Sequence, residues 1–184
     1  MGREIRRVPP SWEHPKAENN LRGDYYQPLY DQTYESARAG WLEGLRKWEA
    51  GEDPDREKYR RDNGEPFDYW EWEGSPPDRD YYRPYSDDQQ SWFQVYETVS
   101  EGTPVTPPFA TEDELIDYLV NEGDFWQQSR WREGQRDIQP NPPGYSREVA
   151  EAFVKGSGWV PSMVVETKPD GSQVIKTGIE TAEE

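Results

Sequence analysis

The sequence of 184 residues has no cysteine, a single histidine and no long apolar run. Without cysteine there are no disulfides, thiol nucleophiles or thiolate metal ligands. No apolar stretch approaches the ~18 residues that a membrane-spanning helix needs, so no membrane partner is predicted. The first ten residues lack the apolar segment of a signal peptide. Neither an EF-hand spacing nor a Gly-rich phosphate loop is present, so we predict no metal and no cofactor.

Aliphatic side chains are also scarce, because Leu, Val, Ile and Phe together number only 27. A share below ~20% combined with a high net charge is typical of disordered chains. Nine Trp and twelve Tyr point the other way, because each buried aromatic side chain removes ~150–250 Å² from water. We therefore expect a folded core rich in Trp and Tyr, with long irregular connections.

Basic residues are few and unevenly placed. The chain has 21 Lys and Arg against 38 Asp and Glu, a net charge of -17. Residues 62–124 hold seventeen of the acidic residues, and their only basic residues are Arg79 and Arg83. A folded surface of this composition repels nucleic acid and attracts a basic protein groove. The simpler alternative is a solvated face that keeps the protein soluble.

The pattern of turns and apolar residues predicts a small α+β domain. Residues 1–30, interrupted by prolines, are expected to form an extended arm, with one domain over 31–179 and a frayed tail at 180–184. Within the domain we predict a small antiparallel sheet and several short helices. The predicted elements are a helix at 32–50 that Asp31 or Thr33 can cap and that ends at Gly51, a helical turn after Asp53, a short helix at 66–72, a strand from Trp92 to Val99, a helix capped by Thr111 and Glu114, a loop at 124–145, a helix at 147–155 capped by Ser146, and a C-terminal hairpin of 163–165 with 173–175.

Two residue patterns suggest catalysis, and neither is adopted. His14 is alone beside Pro15, so an arm-packing or surface role is favoured over a catalytic one, which needs an oriented base. Glu166 and Lys168 have the Glu-x-Lys spacing of many metal-dependent nucleases, since residues two apart on a strand share a face. A match of three residues is weak, and the polar face of a hairpin strand is the simpler explanation. No catalytic residue is predicted, and the nuclease stays an alternative.

Several segments resemble a group of small proteins encoded by tailed bacteriophages and prophages. The similarity is carried by REIRRVP at 3–9, WEHP at 12–15, YQPLY at 26–30, QVYETVSEGTPV at 94–105, FAT at 109–111 and GWVPSM at 158–163. The group has no characterised function, so the resemblance assigns no catalytic or binding residue. It implies a phage origin and a setting in the host cytoplasm.

Combined with the acidic stretch, the resemblance leads to a functional hypothesis. We expect a non-catalytic phage protein that inhibits a host nucleic-acid-handling defence complex, of the anti-CRISPR or anti-restriction type, by docking on its basic surface as a nucleic-acid mimic. Aromatic side chains commonly dominate such contacts. The predicted anchors are Trp70, Trp72, Tyr81 and Tyr82, and the predicted charged residues are Glu71, Glu73, Asp78, Asp80, Asp87 and Asp88. A virion or accessory assembly protein is a further alternative.

Overall fold

A computed structural model describes most of the chain, namely residues 2–17, 25–64, 68–100, 102–134, 144–156, 158–160, 164–168 and 172–176. The strands are β1 (Arg3–Val8), β2 (Lys16–Ala17), β3 (Tyr25–Tyr26), β4 (Tyr30–Thr33), β5 (Tyr82–Arg83), β6 (Trp92–Glu97), β7 (Thr103–Pro104), β8 (Trp159–Val160), β9 (Val164–Thr167) and β10 (Gln173–Lys176). The helices are α1 (Tyr34–Ala50), α2 (Pro54–Asn63), α3 (Tyr69–Glu73), α4 (Glu112–Asn121), α5 (Phe125–Gly134) and α6 (Arg147–Lys155).

This mixture of helices and small sheets, which are antiparallel except for the β4–β5 pair, confirms the α+β class. The contacts divide the chain differently from the predicted arm and body, because they define two compact units. We call them the sheet unit, which comprises Met1–Pro28 and Tyr85–Glu184, and the helical unit, which comprises Leu29–Pro84. The acidic stretch 62–124 is therefore shared between the two units.

In the sheet unit, the predicted arm supplies a central strand. The four-stranded sheet has the order β7-β6-β1-β8, and β1 pairs antiparallel with β6 along its whole length, from Arg3 opposite Glu97 to Val8 opposite Trp92. On its other side β1 pairs with the short strand β8. The first residues of the chain are thus part of the sheet, and they pair there with strands that lie far away in sequence.

The two faces of this sheet bury different side chains, as the alternation along a strand requires. Phe93 and Val95 of β6 point to one face and join apolar residues of α4 and α6 in the main core. Tyr96 points to the opposite face, where it packs with Val8 and Tyr85 in a smaller cluster. Leu115, Ile116 and Leu119 of α4 recur at the spacing of one helix face and are buried in the main core.

A network of buried charges joins β1 to the start of α5. The Arg3 guanidinium donates to Asp124, with Nε and Nη2 each 2.9 Å from Oδ2, and its Nη1 lies 3.5 Å from a Glu97 carboxylate oxygen. The Tyr145 hydroxyl also donates to Asp124 Oδ2, at 2.9 Å. Burial, and next the Asp124 charge, raise the pKa of Tyr145 well above its ordinary value, so the hydroxyl keeps its proton. Such buried charges are tolerated only when they are paired and hydrogen-bonded.

The prediction of a loop at 124–145 is wrong for its first part, because helix α5 begins directly after Asp124. The Gln127 backbone N–H donates to the Asp124 carboxylate at 2.9 Å, and the Asp124 N–H donates to the Gln127 side chain at 2.9 Å. This reciprocal pair satisfies two backbone donors at the helix start, which is the role of a capping box. Residues 135–143 of the predicted loop lie outside the described residues.

In the helical unit, the predicted helices at 32–50 and after Asp53 are confirmed, with α1 beginning two residues later than predicted. Thr33 caps α1 by accepting from the Ser36 N–H at 3.3 Å. Gly51 follows the helix with φ 69°, in the left-handed region that glycine adopts without strain. Asp53 caps α2, which has proline at its first position, as the Asp-Pro pair predicts.

At the C-terminal end, β9 and β10 pair antiparallel and confirm the predicted hairpin. Its turn at 169–171 and the predicted tail at 180–184 lie outside the described residues. Helix α6 also matches its prediction, since the Ser146 hydroxyl accepts from the Val149 N–H at 3.2 Å.

Candidate binding surface

The predicted binding residues do not all belong to one unit. Eight of them, from Trp70 to Tyr82, lie in the helical unit, whereas Asp87 and Asp88 lie in the sheet unit. Both aspartates belong to a single 3-10 turn, where Asp88 accepts from the Ser86 hydroxyl and Asp87 accepts from the Gln90 side chain. These bonds within the turn give both carboxylates a local structural role. The candidate surface is therefore confined to the helical unit.

Helix α3 is held on α1 by one buried tyrosine. Tyr69 is 7% exposed, and its ring centroid lies 5.2 Å from that of Trp41 and 5.8 Å from that of Trp48. The Tyr69 hydroxyl lies over Gly44, where there is no room for an added Cβ. The Trp41 indole N–H also donates to the carbonyl of Gly74, directly after α3, at 3.2 Å. These contacts fix the position of α3 on α1.

Two predicted anchors in α3, Trp70 and Trp72, differ in their surroundings. Trp72 is 38% exposed, and its ring packs 5.7 Å from Trp48 and 5.6 Å from Tyr59. Trp70 is 54% exposed and makes no ring contact within the described residues. Residues two apart on a helix point in nearly opposite directions, so the two indoles cannot anchor one contact together. Trp72 belongs to the packing of the helical unit, and Trp70 is the exposed anchor.

The two predicted tyrosine anchors differ in the same way. Tyr82 is half-buried, and its ring lies 5.3 Å from Tyr30 and 6.3 Å from Tyr34. Tyr81 is 43% exposed and, among the described residues, has no aromatic neighbour in ring contact. The 3-10 turn Arg79–Tyr81 presents it directly before β5. Among the predicted anchors, Trp70 and Tyr81 are therefore the two against which no other described ring packs.

Four predicted acidic residues lie in the same segment as Trp70 and Tyr81. Two of the four, Glu71 and Asp78, stabilise local structure. The Glu71 carboxylate accepts from the Asp68 N–H at 3.2 Å, at the start of α3. The Asp78 carboxylate accepts from the Asp80 N–H at 3.2 Å and so caps the following 3-10 turn. The Glu73 and Asp80 side chains make no such bond within the described part of the chain. All four are exposed, and none of them forms an ion pair with a described residue.

The excess negative charge of the helical unit is concentrated in one segment. Residues 29–61 contain eight acidic and seven basic residues, whereas residues 62–84 contain seven acidic residues and two basic ones. Both of those basic residues pair with acids outside the segment. Arg79 lies 3.1 Å from a Glu35 carboxylate oxygen, and the corresponding partner of Arg83 is Asp31, at 3.5 Å.

A shallow cleft brings part of the predicted set together. It measures about 320 Å³, and its lining includes Trp41 and Tyr69 as well as Glu73 and Tyr82. Glu73 from α3 and Tyr82 from β5 therefore line the same depression. Its lining is thus mainly aromatic and polar in composition. We use the name acidic-aromatic surface for Trp70, Glu73, Asp78, Asp80 and Tyr81. Glu71 is left out because it lies two residues from Glu73 on α3 and points in nearly the opposite direction.

The alternative nuclease pair is only partly described. Glu166 lies in β9 opposite Val174, and its side chain lies outside the described part of the structure. Lys168 is exposed, and its backbone N–H donates to the carbonyl of Ser172 at 2.8 Å. Over the described ranges, no group of three or more His, Cys, Asp or Glu side chains is arranged to hold a metal ion. The nuclease prediction stays untested by the structure.

Comparisons with known proteins add no family to this description. No family model, no curated protein and no solved structure is significantly similar to the chain. Within the parts of the chain that the structure describes, no helix is both long enough and apolar enough to cross a membrane. The acidic-aromatic surface must therefore be interpreted from its own chemistry.

Proposed function

We propose that this protein is a non-catalytic, phage-encoded inhibitor that docks its acidic-aromatic surface onto a basic surface of a host nucleic-acid-handling defence complex. Such a protein would act in the host cytoplasm, where it would meet a target of the CRISPR or restriction type. The phage origin and the host setting rest on the sequence resemblance alone. The docking surface rests on the geometry of α3 and the following 3-10 turn.

The observation that carries the proposal is the exposure of Trp70 and Tyr81 beside exposed carboxylates. Trp70 is 54% exposed and Tyr81 is 43% exposed. Interface hot spots are enriched in Trp, Tyr and Arg, and a guanidinium or ammonium is attracted to the face of an aromatic ring. A partner rich in Arg and Lys would thus find both kinds of contact here, the ring and the carboxylate.

The sign of the charge selects the kind of partner. Surfaces that bind DNA or RNA present Lys and Arg to phosphates, and the same cations are attracted to a cluster of carboxylates. An acidic protein that covers such a surface competes directly with the nucleic acid. Inhibition then requires no reaction, only occupation of the groove.

Affinity capture from a bacterial host lysate tests this proposal. The variant Glu73→Lys/Asp80→Lys reverses two exposed charges whose side chains make no local cap, so the two carboxylate caps of this region stay in place. The matched control Glu49→Lys/Asp55→Lys reverses two exposed acids on α1 and α2, outside the segment 62–84. We expect the captured proteins to include a basic nucleic-acid-handling complex, to be released by salt, and to be lost only in the first variant.

Several outcomes would count against the proposal. Capture that survives the reversal of Glu73 and Asp80, or that both double variants weaken equally, would remove the acidic-aromatic surface from the contact. A captured complex that still binds its nucleic acid at full affinity would remove the inhibitory role. Detection of the protein in purified virions would favour an assembly role in its place.

A further inference from the structure

The sheet unit contains a second candidate site that the acidic-aromatic surface does not involve. Two of its lining residues, His14 and Gln94, are buried at 7% and 3% exposure. The site thus combines aromatic walls with polar side chains that are almost fully removed from water, which is the usual composition of a small-ligand site. It is an open cleft of about 560 Å³, lined among others by Trp12, Glu13, His14, Lys16, Tyr26 and Gln94.

The hydrogen bonds beneath the cleft lack one donor. His14 Nε2 lies 2.6 Å from the Gln27 carbonyl and must carry the proton, because a carbonyl only accepts. In the neutral ring His14 Nδ1 is then an acceptor, and its hydrogen-bonding neighbour is the Tyr96 hydroxyl at 3.3 Å. That hydroxyl also lies 2.8 Å from Gln94 Oε1. A hydroxyl has one hydrogen, so it cannot satisfy both acceptors.

Protonation of His14 would supply the missing donor, but the surroundings oppose it. Burial, and to a lesser extent the charge of Arg6, lower the pKa of His14 to about 4. The ring is therefore neutral near pH 7. The Gln94 amide cannot compensate either, since its Nε2 donates to the Thr106 carbonyl at 2.8 Å. A buried acceptor left without a donor costs free energy, so a hydroxyl or amide N–H that reached Gln94 or His14 from the cleft would be stabilised.

A second polar atom at the cleft lacks a partner of the opposite kind. The indole N–H of Trp12 is buried and makes no hydrogen bond within the described residues. This donor is itself buried, so the acceptor of Gln94 or His14 carries the argument. A hydroxyl group can donate to that acceptor and also accept from another lining group.

The charges and rings of the lining restrict the ligand further. The formal charges of Glu13 and Lys16 cancel, and His14 is neutral, so the described lining favours a neutral molecule. The Tyr26 ring stands edge-on to His14 at 5.7 Å and forms an aromatic wall beside it. The Tyr26 ring also stacks with Phe125 at 6.5 Å, and the Lys16 ammonium lies 5.3 Å from its centroid. We propose that this cleft binds a neutral hydroxylated ring, a saccharide residue, whose hydroxyls bond to Gln94 or His14 and whose edge lies beside Tyr26.

NMR titration of the full chain tests this assignment. The probes are methyl glycosides of glucose, galactose, mannose and N-acetylglucosamine, each raised to about 50 mM so that a dissociation constant in the millimolar range, worth about 4 kcal/mol, is detected. At least one probe is expected to shift the signals of the Trp12 indole N–H and the Gln94 side-chain amide. Tetrahydropyran, the same ring without hydroxyls, is expected to shift neither. Binding of tetrahydropyran at equal strength, or no shift with any glycoside, would overturn the proposal.

Two neighbouring tyrosines provide matched variants. Tyr26→Ala removes the wall of the cleft and should weaken binding about tenfold or more, whereas Tyr25→Ala changes an exposed ring that does not line it. Equal weakening by both, or by neither, would contradict the site. Should Tyr26→Ala fail to fold, the map of shifts in the unaltered protein still decides, since shifts confined to residues away from the cleft would reject it.

Discussion

Two glycines of helix α1 allow the packing of α3 to be tested with one kind of substitution. Both Gly40 and Gly44 lie within the helix, where glycine is less favourable than alanine by ~1 kcal/mol. At Gly40 an added Cβ meets nothing within 4 Å, so Gly40→Ala should raise the free energy of unfolding by ~0.5–1 kcal/mol. At Gly44 the same methyl group would overlap the Tyr69 hydroxyl and lie 2.9 Å from the ring carbon that carries it.

The Tyr69 ring cannot easily move away from a methyl group at position 44, because Trp41 and Trp48 pack against it. Overpacking of this kind costs about 1–3 kcal/mol. The gain in helix propensity is common to both variants and cancels in their difference. We therefore expect Gly44→Ala to be less stable than Gly40→Ala by about 1–3 kcal/mol.

Urea unfolding followed by tryptophan fluorescence measures this difference. The reasoning also predicts a partial rescue, since Tyr69→Phe removes the nearest atom and should reduce the cost of Gly44→Ala. Equal stabilities of the Gly40 and Gly44 variants would show that Tyr69 does not lie over α1 as described. A cost at Gly44 that Tyr69→Phe leaves unchanged would rule out the assigned contact itself.

Three further predictions test the sheet unit by urea unfolding. Arg3→Ala leaves two buried carboxylates without their cation and should cost about 3–5 kcal/mol, whereas Arg147→Ala breaks only exposed pairs and should cost much less. Thr111→Ala removes the hydroxyl that accepts from the Glu114 N–H and should cost about 1 kcal/mol, with Thr111→Ser near neutral. Because the pKa of His14 is lowered from 6.5 to about 4 on folding, the unfolded chain binds the proton more readily. The contribution of neutral His14 to the free energy of unfolding should therefore be complete above pH 6.5 and be lost as the pH falls towards 4. His14→Gln should flatten the dependence of the free energy of unfolding on pH in this range.

Each of these three predictions has a result that would contradict it. A cost for Arg3→Ala as small as that of Arg147→Ala would mean that the carboxylates paired with Arg3 are hydrated. Equal loss from Thr111→Ala and Thr111→Ser would remove the hydroxyl as the cause. An unchanged pH slope in His14→Gln would mean that His14 titrates alike in the folded and unfolded chains.

Helix boundaries are predictable because their signals are local. Each cap depends on a side chain bonding to a backbone N–H two or three residues later, within one turn. The capping box of Asp124 and Gln127 has the same spacing and could be found by the same rule. The residues that follow it are polar and lack an apolar stripe, which favours a loop in the sequence. The sequence does predict the caps Asp53, Thr111 and Ser146, and Thr33 is one of its two candidates for the cap of α1.

The central position of β1 is not predictable from local pattern. Its sequence carries Arg3 and Arg6 at buried positions, where a strand normally has apolar side chains. Arg3 is stabilised there by Asp124, which lies 121 residues further along the chain. No window of the sequence shows that pairing, so the local pattern predicts an arm.

The candidate surface is predictable in composition and only partly in arrangement. The sequence shows acidic and aromatic residues mixed throughout 68–82, and the structure keeps Trp70 and Tyr81 exposed there. Helical geometry separates Trp72 from Trp70, a distinction that requires the position of α3 to be known. The 3-10 turn Asp87–Gln89 belongs to the other unit because of tertiary contacts, which local sequence does not show.

Site-specific photo-crosslinking in a host lysate decides whether the acidic-aromatic surface is the docking surface. A photoreactive phenylalanine analogue is placed at Trp70, which is 54% exposed in the helical unit, and in a second protein at Val99, which is 57% exposed in the sheet unit. The docking proposal predicts a salt-sensitive crosslink to a basic nucleic-acid-handling protein from position 70 and none from position 99. The same crosslink from both positions, or one from position 99 alone, would contradict it.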